Sequence, residues 1–162
     1  MAEPMDTFNN AVGHFNKGAA ANPDQTVAGP HWDAIESSLD INIIVKKVDD
    51  PTQVLTTKST VMNYLRGMGG GARPDKPKFT AQPTSTVTNL GAKSVTISGI
   101  GTYIDNTYAA AGSAAATPNN FAYCFILSQD GSGKWLILSV WGALLASDGS
   151  IEDTNATYPS AT

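Results

Sequence analysis

FAYCFILSQ, DGSG and KWLILSVWGAL, residues 121–129, 130–133 and 134–144, decide the fold of this chain. The outer two runs are apolar and rich in aromatic and branched side chains, which is strand chemistry. Asp130-Gly131-Ser132-Gly133 between them carries the residues that reverse a chain within a few positions. Together they predict a hairpin of two long antiparallel strands. Period two puts Phe121, Tyr123, Phe125 and Leu127 on one face of the first strand. It puts Trp135, Ile137, Ser139 and Trp141 on one face of the second. Parity leaves open whether the aromatic face is concave, lining a pocket, or outer, forming a dimer surface.

Upstream, two more segments show period two. Lys78 to Thr88 is Thr-rich, and Pro83 inside it points to an edge or a bulge. After the turn Asn89-Leu90-Gly91, Lys93 to Asp105 reads as a long strand with Gly99 and Gly101 where a sheet bends or a backbone approaches closely. The Ala-rich stretch Tyr108 to Asn120 is a long loop, with a mobile lid as its alternative reading.

The N-terminal part has helical period instead. Phe8, Ala11, Val12, Phe15 and Ala19 make one face of a helix over about Asp6 to Ala20, with Asp6 or Thr7 as its cap and Asn22-Pro23 as its end. Gly29-Pro30 introduces a second helix whose stripe is Trp32, Ile35 and Leu39. Ile41 to Val48 is a β-branched strand, Asp49-Asp50-Pro51 a turn, and Gln53 to Thr56 a short return strand. Val61, Tyr64, Leu65 and Met68 give the stripe of a third helix, Thr57 to Gly67, closed by Gly69-Gly70-Gly71. Helices first and successive antiparallel strands after them imply α+β, with three helices packed on one face of a curved sheet.

Composition bounds the rest. The chain has 162 residues, 41% of them hydrophobic and 15% charged, which suits one domain with a sizeable core. The expected division is a folded unit over residues 1–146 and a polar tail over 147–162. A net charge of −4 with ten scattered Lys and Arg argues against nucleic acid as a partner. No run is long and apolar enough to span a membrane. The segment Met1 to Asp6 lacks the basic-then-apolar pattern of a signal peptide, and a single Cys124 excludes an internal disulfide, so a cytoplasmic location is expected.

The residues then carry a family likeness. The opening helix with Phe8 and Phe15, the strand Asp40-Ile41-Asn42-Ile43-Ile44, the helix Thr57-Lys58-Ser59-Thr60-Val61-Met62-Asn63-Tyr64-Leu65 and the hairpin from Phe121-Ala122-Tyr123 through Gly133-Lys134-Trp135-Leu136-Ile137 resemble the NTF2-like superfamily, SnoaL-like proteins in particular. Lys58 stands near the position where that family's third helix has a glycine. The likeness covers roughly residues 5–145 and is one of element order. It implies a conical, cystatin-like α+β fold around a mostly apolar cavity, often dimeric through the outer sheet face. Members include ketosteroid isomerases, polyketide cyclases and dehydratases, and also non-catalytic association domains, so the fold names no reaction.

Proton-transfer members need a buried carboxylate or histidine base and a donor for the developing oxyanion. The carboxylates available are Asp40, at a helix–strand junction, and Asp105, at a strand end. The histidines are His14, at the edge of the first helix's stripe, and His31, beside Trp32 and Asp33, where a His–Asp pair is conceivable. The isomerase donor pair of Tyr and protonated Asp has no counterpart on the motif. Two histidines without a cysteine or paired carboxylates at ligand spacing give no metal site, and no cofactor is implied. Cys124, in an apolar strand without basic neighbours, reads as packing. Tyr64, Tyr103, Tyr108, Tyr123 and Trp141 are the candidate lining of a pocket for a small hydrophobic or amphipathic molecule. Two functions follow: small-molecule binding, extending to cofactor-free isomerase, cyclase or dehydratase chemistry, and a non-catalytic dimerisation module. A homodimer through the sheet is the expected assembly.

Overall fold

The computed structural model describes residues 3–46, 52–69, 78–81, 86–104 and 119–145. The turn at 49–51, Gly70 and Gly71, Asp105, Tyr108, most of the Ala-rich stretch and the tail 147–162 lie outside them. The chain runs α1 (Pro4–Ala21), α2 (Gln25–Ser37), β1 (Leu39–Lys46), β2 (Val54–Leu55), α3 (Lys58–Gly69), β3 (Lys78–Ala81), β4 (Thr86–Gly91), β5 (Ser94–Ile104), β6 (Asn119–Gln129) and β7 (Trp135–Leu144).

Helix α1 begins earlier than its apolar stripe suggests. Pro4 takes the first turn, where a missing N–H costs nothing, and Glu3 is the N-cap residue. Asp6 is inside the helix, its carboxylate accepting the Glu3 N–H at 3.2 Å. Thr7 is not a cap either: its hydroxyl donates to the Trp135 carbonyl at 3.1 Å and ties α1 to β7. Helix α2 also starts ahead of the Gly29-Pro30 signal. Asp24 caps it, Oδ1 accepting the Thr26 N–H at 3.0 Å and the Thr26 hydroxyl at 2.6 Å. Pro30 therefore sits inside the helix and removes the bond its N–H would give to the Thr26 carbonyl. Burial of Ala28, Trp32 and Ile35 offsets that loss.

The sheet has the order β2-β1-β7-β6-β5-β3, with β4 also paired to β5. Strands β5, β6 and β7 form the expected meander. One contact is parallel: β1 lies along β7, Val45 opposite Val140, so the sheet is mixed. The helix and strands that separate β1 from β7 in sequence supply the long connection a parallel pair requires. The Lys78–Thr88 segment supplies β3 and the start of β4, both on the same edge of β5, and Pro83 lies outside the described residues. β3 pairs with the C-terminal end of β5 and β4 with its N-terminal end.

All three helices serve one core. Phe8, Phe15, Trp32, Ile43, Val61, Met62, Ile97, Leu127 and Ile137 are buried together between helices and sheet. The β6–β7 turn is drawn by Asp130, whose Oδ1 accepts the backbone N–H of Ser132 at 2.8 Å and of Lys134 at 3.0 Å. Gly133 completes it at φ 89°, a conformation that side chains disfavour.

Candidate functional site

The closing hairpin settles which aromatic face meets the helices. Tyr123 is 4% exposed. Its ring stacks on Phe8 of α1 at 5.5 Å between centroids and meets Phe79 edge-on at 5.5 Å. Phe125 lies edge-on to Phe8 at 4.9 Å. The residues that alternate with Tyr123 and Phe125 therefore belong to the helix-free face.

Strand β7 does not keep one parity. A bulge lets Ile126 pair with Ser139 while Leu127 pairs with Ile137, so Leu138 is an extra residue. Trp135 and Ile137 face the helices before it, and Val140 and Gly142, opposite Phe125 and Tyr123, do so after it. Trp135 and Trp141 thus belong to opposite faces, against the uniform period of two. Trp141 pairs with Cys124, which pairs in turn with Ser98, across the helix-free side. Burial pushes the Cys124 thiol above its ordinary pKa, which disfavours the thiolate and fits packing rather than nucleophilic chemistry.

The described proton carriers bond with groups outside that aromatic cluster. Asp40 Oδ1 accepts the Asn42 N–H at 2.8 Å, turn chemistry within β1, where the register against β7 shifts. Its other oxygen faces the Ser128 hydroxyl at 3.5 Å. His14 and His31 meet each other across α1 and α2, with Nδ1 to Nδ1 at 3.0 Å. The partner of His31 is thus a second histidine rather than Asp33. Burial, then His31 and Lys17, hold the His14 pKa below its ordinary value. His14 also lines a groove of about 230 Å³ between α1, the end of α2 and the β6–β7 turn, with Asn10, Ser37, Lys134 and Trp135. Tyr64 is half-buried on α3. Tyr103 pairs with Phe79 on one side and Asn119 on the other. Asp105 and Tyr108 are outside the described residues. Among those residues no group of three or more His, Cys, Asp or Glu could hold a metal.

Two features escaped the sequence. Asn16 of α1 reads the backbone of β3: its Nδ2 donates to the Phe79 carbonyl at 2.7 Å and its Oδ1 accepts the Phe79 N–H at 2.8 Å. The amide takes the place of a further strand, and nothing in a single Asn on a helix face signals that. The His14–His31 pair joins residues of two helices, and only the packing angle brings them together.

The central rows of the helix-free face are built from uncharged residues, with Lys46 of β1, two residues after Ile44, and Asp40, which faces Ser128, at their margin. Ile44, Ser139, Ile126 and Thr96 form one row, and Trp141, Cys124 and Ser98 the next. Ile44 is 45% exposed, and Ile100 on the same face is 49% exposed. Among the described residues no helix packs on this side.

No family model and no curated protein matches the chain. Solved structures do. It is similar to an NTF2-like protein of unknown function from Pseudomonas aeruginosa, at 13% identity over 88% of this chain and 98% of that one, TM-score 0.65. It is similar to ActVI-ORFA from Streptomyces coelicolor, at 10% identity over 86% and 92%, TM-score 0.62. The association domain of CaMKII from C. elegans matches at 9% identity over 84% and 88%, TM-score 0.59. At such identities the likeness establishes the fold, and the fold is NTF2-like. No helix among the described residues is long and apolar enough to cross a membrane.

Proposed function

We propose that this NTF2-like chain is a self-associating module that pairs with a second copy through the helix-free face of its sheet. The observation that carries the reading is that face itself: Trp141, Ile126 and Cys124 lie in its central rows, and Ile44 and Ile100 are about half exposed. Uncovered apolar sheet surface of this kind is stabilised by burial at roughly 25 cal/mol per Å². The structural likeness to an association domain agrees with it. Analytical ultracentrifugation at micromolar concentration tests it. The wild-type chain is expected to sediment as a dimer or larger, and Trp141→Lys with Ile100→Lys as a folded monomer. A wild-type monomer overturns the reading.

A second reading, an aromatic-lined pocket for a small hydrophobic molecule, draws support from Tyr123 on the helix-covered face and from the likeness to ActVI-ORFA. Against it stands the mutual packing of Phe8, Phe79, Tyr123 and Phe125, whose rings contact one another between the helices and the sheet. Asp40, Asp105, Tyr64, Tyr103 and Tyr108 belong to this reading as candidate contacts. A panel of planar hydrophobic compounds that leaves the thermal midpoint unchanged would count against it.

A further inference from the structure

Two imidazoles whose Nδ1 atoms lie 3.0 Å apart can hold each other in only some protonation states. When both rings are neutral, opposite tautomers are required, one Nδ1–H donating to the other ring's lone pair. With one proton added, the bond becomes charge-assisted and stronger. With two, both nitrogens carry hydrogen, no acceptor is left, and two cations face each other. The pair therefore persists with no added proton or with one and must part with two.

The surroundings make the second proton still harder to accept. The charges acting on His14 are His31 and Lys17, both positive. Lys134 lines the same groove, its ammonium donating to the Ser37 carbonyl at 2.8 Å. Among the described residues, the carboxylates of α1 and α2 (Glu3, Asp6, Asp24, Asp33 and Glu36) and the α3 cations Lys58 and Arg66 are not among the groups that shift it.

The pair also sits where separation is felt. Each histidine neighbours a ring of the α1–α2 interface, Phe15 beside His14 and Trp32 beside His31. Phe15 meets Trp32 edge-on at 5.8 Å, and a Cβ on Gly18 would come within 3.0 Å of the Trp32 ring. Packing this close does not stretch to accommodate two repelling rings.

We propose that His14 and His31 form a single-proton latch between α1 and α2, which holds the helical layer closed at neutral pH and releases it when the second proton binds. Folding keeps His14 less basic than in the open chain, so the unfolded state binds more protons. The stability it contributes is present above the ordinary histidine range, about pH 6.5, and is lost as the pH falls below it.

Histidine-resolved NMR of the wild-type chain from pH 8 to 4 tests the latch. At neutral pH the ring ¹⁵N shifts are expected to show one Nδ1–H and one Nε2–H tautomer. The pair should titrate in two steps separated by at least about one pH unit, the lower step coinciding with loss of α1–α2 amide signals. In His31→Gln, His14 should titrate in a single step at higher pH than the lower wild-type step. The acid-side fall in thermal midpoint should shrink with it. Two overlapping, independent steps near pH 6.5 in the wild type overturn the proposal, and so does an unchanged acid-side fall in a folded His31→Gln. The wild-type titration decides the matter even if the variant fails to fold.

Discussion

The two faces of β6 differ by one residue step and carry opposite tasks. Tyr123 and Phe125 point to the helices and join an aromatic cluster with Phe8 and Phe79. Cys124 and Ile126, their immediate neighbours, belong to a side that no described helix covers. The covered face draws its stability from rings interlocked within one chain. On the other face no described helix packs, and Ile44 and Ile100 are about half exposed there. Apolar side chains thus serve folding on one side of the strand and are left open to association on the other. The comparison can be broken by mutation, because residues of the first kind should change unfolding free energy far more than residues of the second.

The largest effect is expected at Phe8, 1% exposed and in ring contact with both Tyr123 and Phe125. Phe8→Ala should cost roughly 3–5 kcal/mol in urea unfolding, through lost transfer energy and the cavity left behind. Gly101→Ala comes next. A Cβ there would lie 2.7 Å from the Phe79 ring and 2.9 Å from the Thr80 carbonyl oxygen. The backbone oxygen cannot swing away, so a destabilisation of roughly 1–3 kcal/mol is expected by the same measurement. Asn16→Ala should lose about 1–2 kcal/mol, since both Phe79 backbone groups lose their partner. Hydrogen exchange should then accelerate at the Phe79 amide while the β5–β6 amides stay protected.

The smallest effect on stability is the sharpest test of the other face. Trp141 is half-buried, so Trp141→Lys, measured where the chain is monomeric, should cost about 1 kcal/mol, well below Phe8→Ala. The same variant should abolish self-association in sedimentation. A loss as large as that of Phe8→Ala would make Trp141 a core residue and erase the distinction between the faces.

Much of the architecture was legible in the chain. The stripe Phe8, Ala11, Phe15 and Ala19 lies in the core as its spacing implies, and the DGSG turn joins two paired strands. Such features are local: each depends on residues a turn or a pleat apart. The errors share a cause as well. Helix α2 starts at Asp24 rather than at Pro30 because a capping carboxylate and buried Trp32 outweigh one lost backbone bond. Trp141 leaves the face of Trp135 because one bulged residue resets the pleat, and a bulge is written in the pairing of β6 with β7, not in β7 alone.

The candidate sites were less legible than the fold. His14 and His31 could each be noticed, yet their pairing needs the approach of α1 to α2. Asn16 gave no sign at all of its bonds to β3. Tyr64, Tyr123 and Trp141 looked like one convergent set, but Tyr123 and Trp141 lie on opposite faces of the sheet.

The sequence by itself determined the elements: three amphipathic helices, a closing hairpin and a core of large apolar side chains. Periodicity and turn chemistry act over a few residues, so they can be read along the chain. Only the tertiary structure decided which side of the hairpin is covered, that β1 runs parallel to β7, and that two histidines share one hydrogen bond. Each of these depends on segments far apart in sequence, and their relative placement is set by packing the whole core at once.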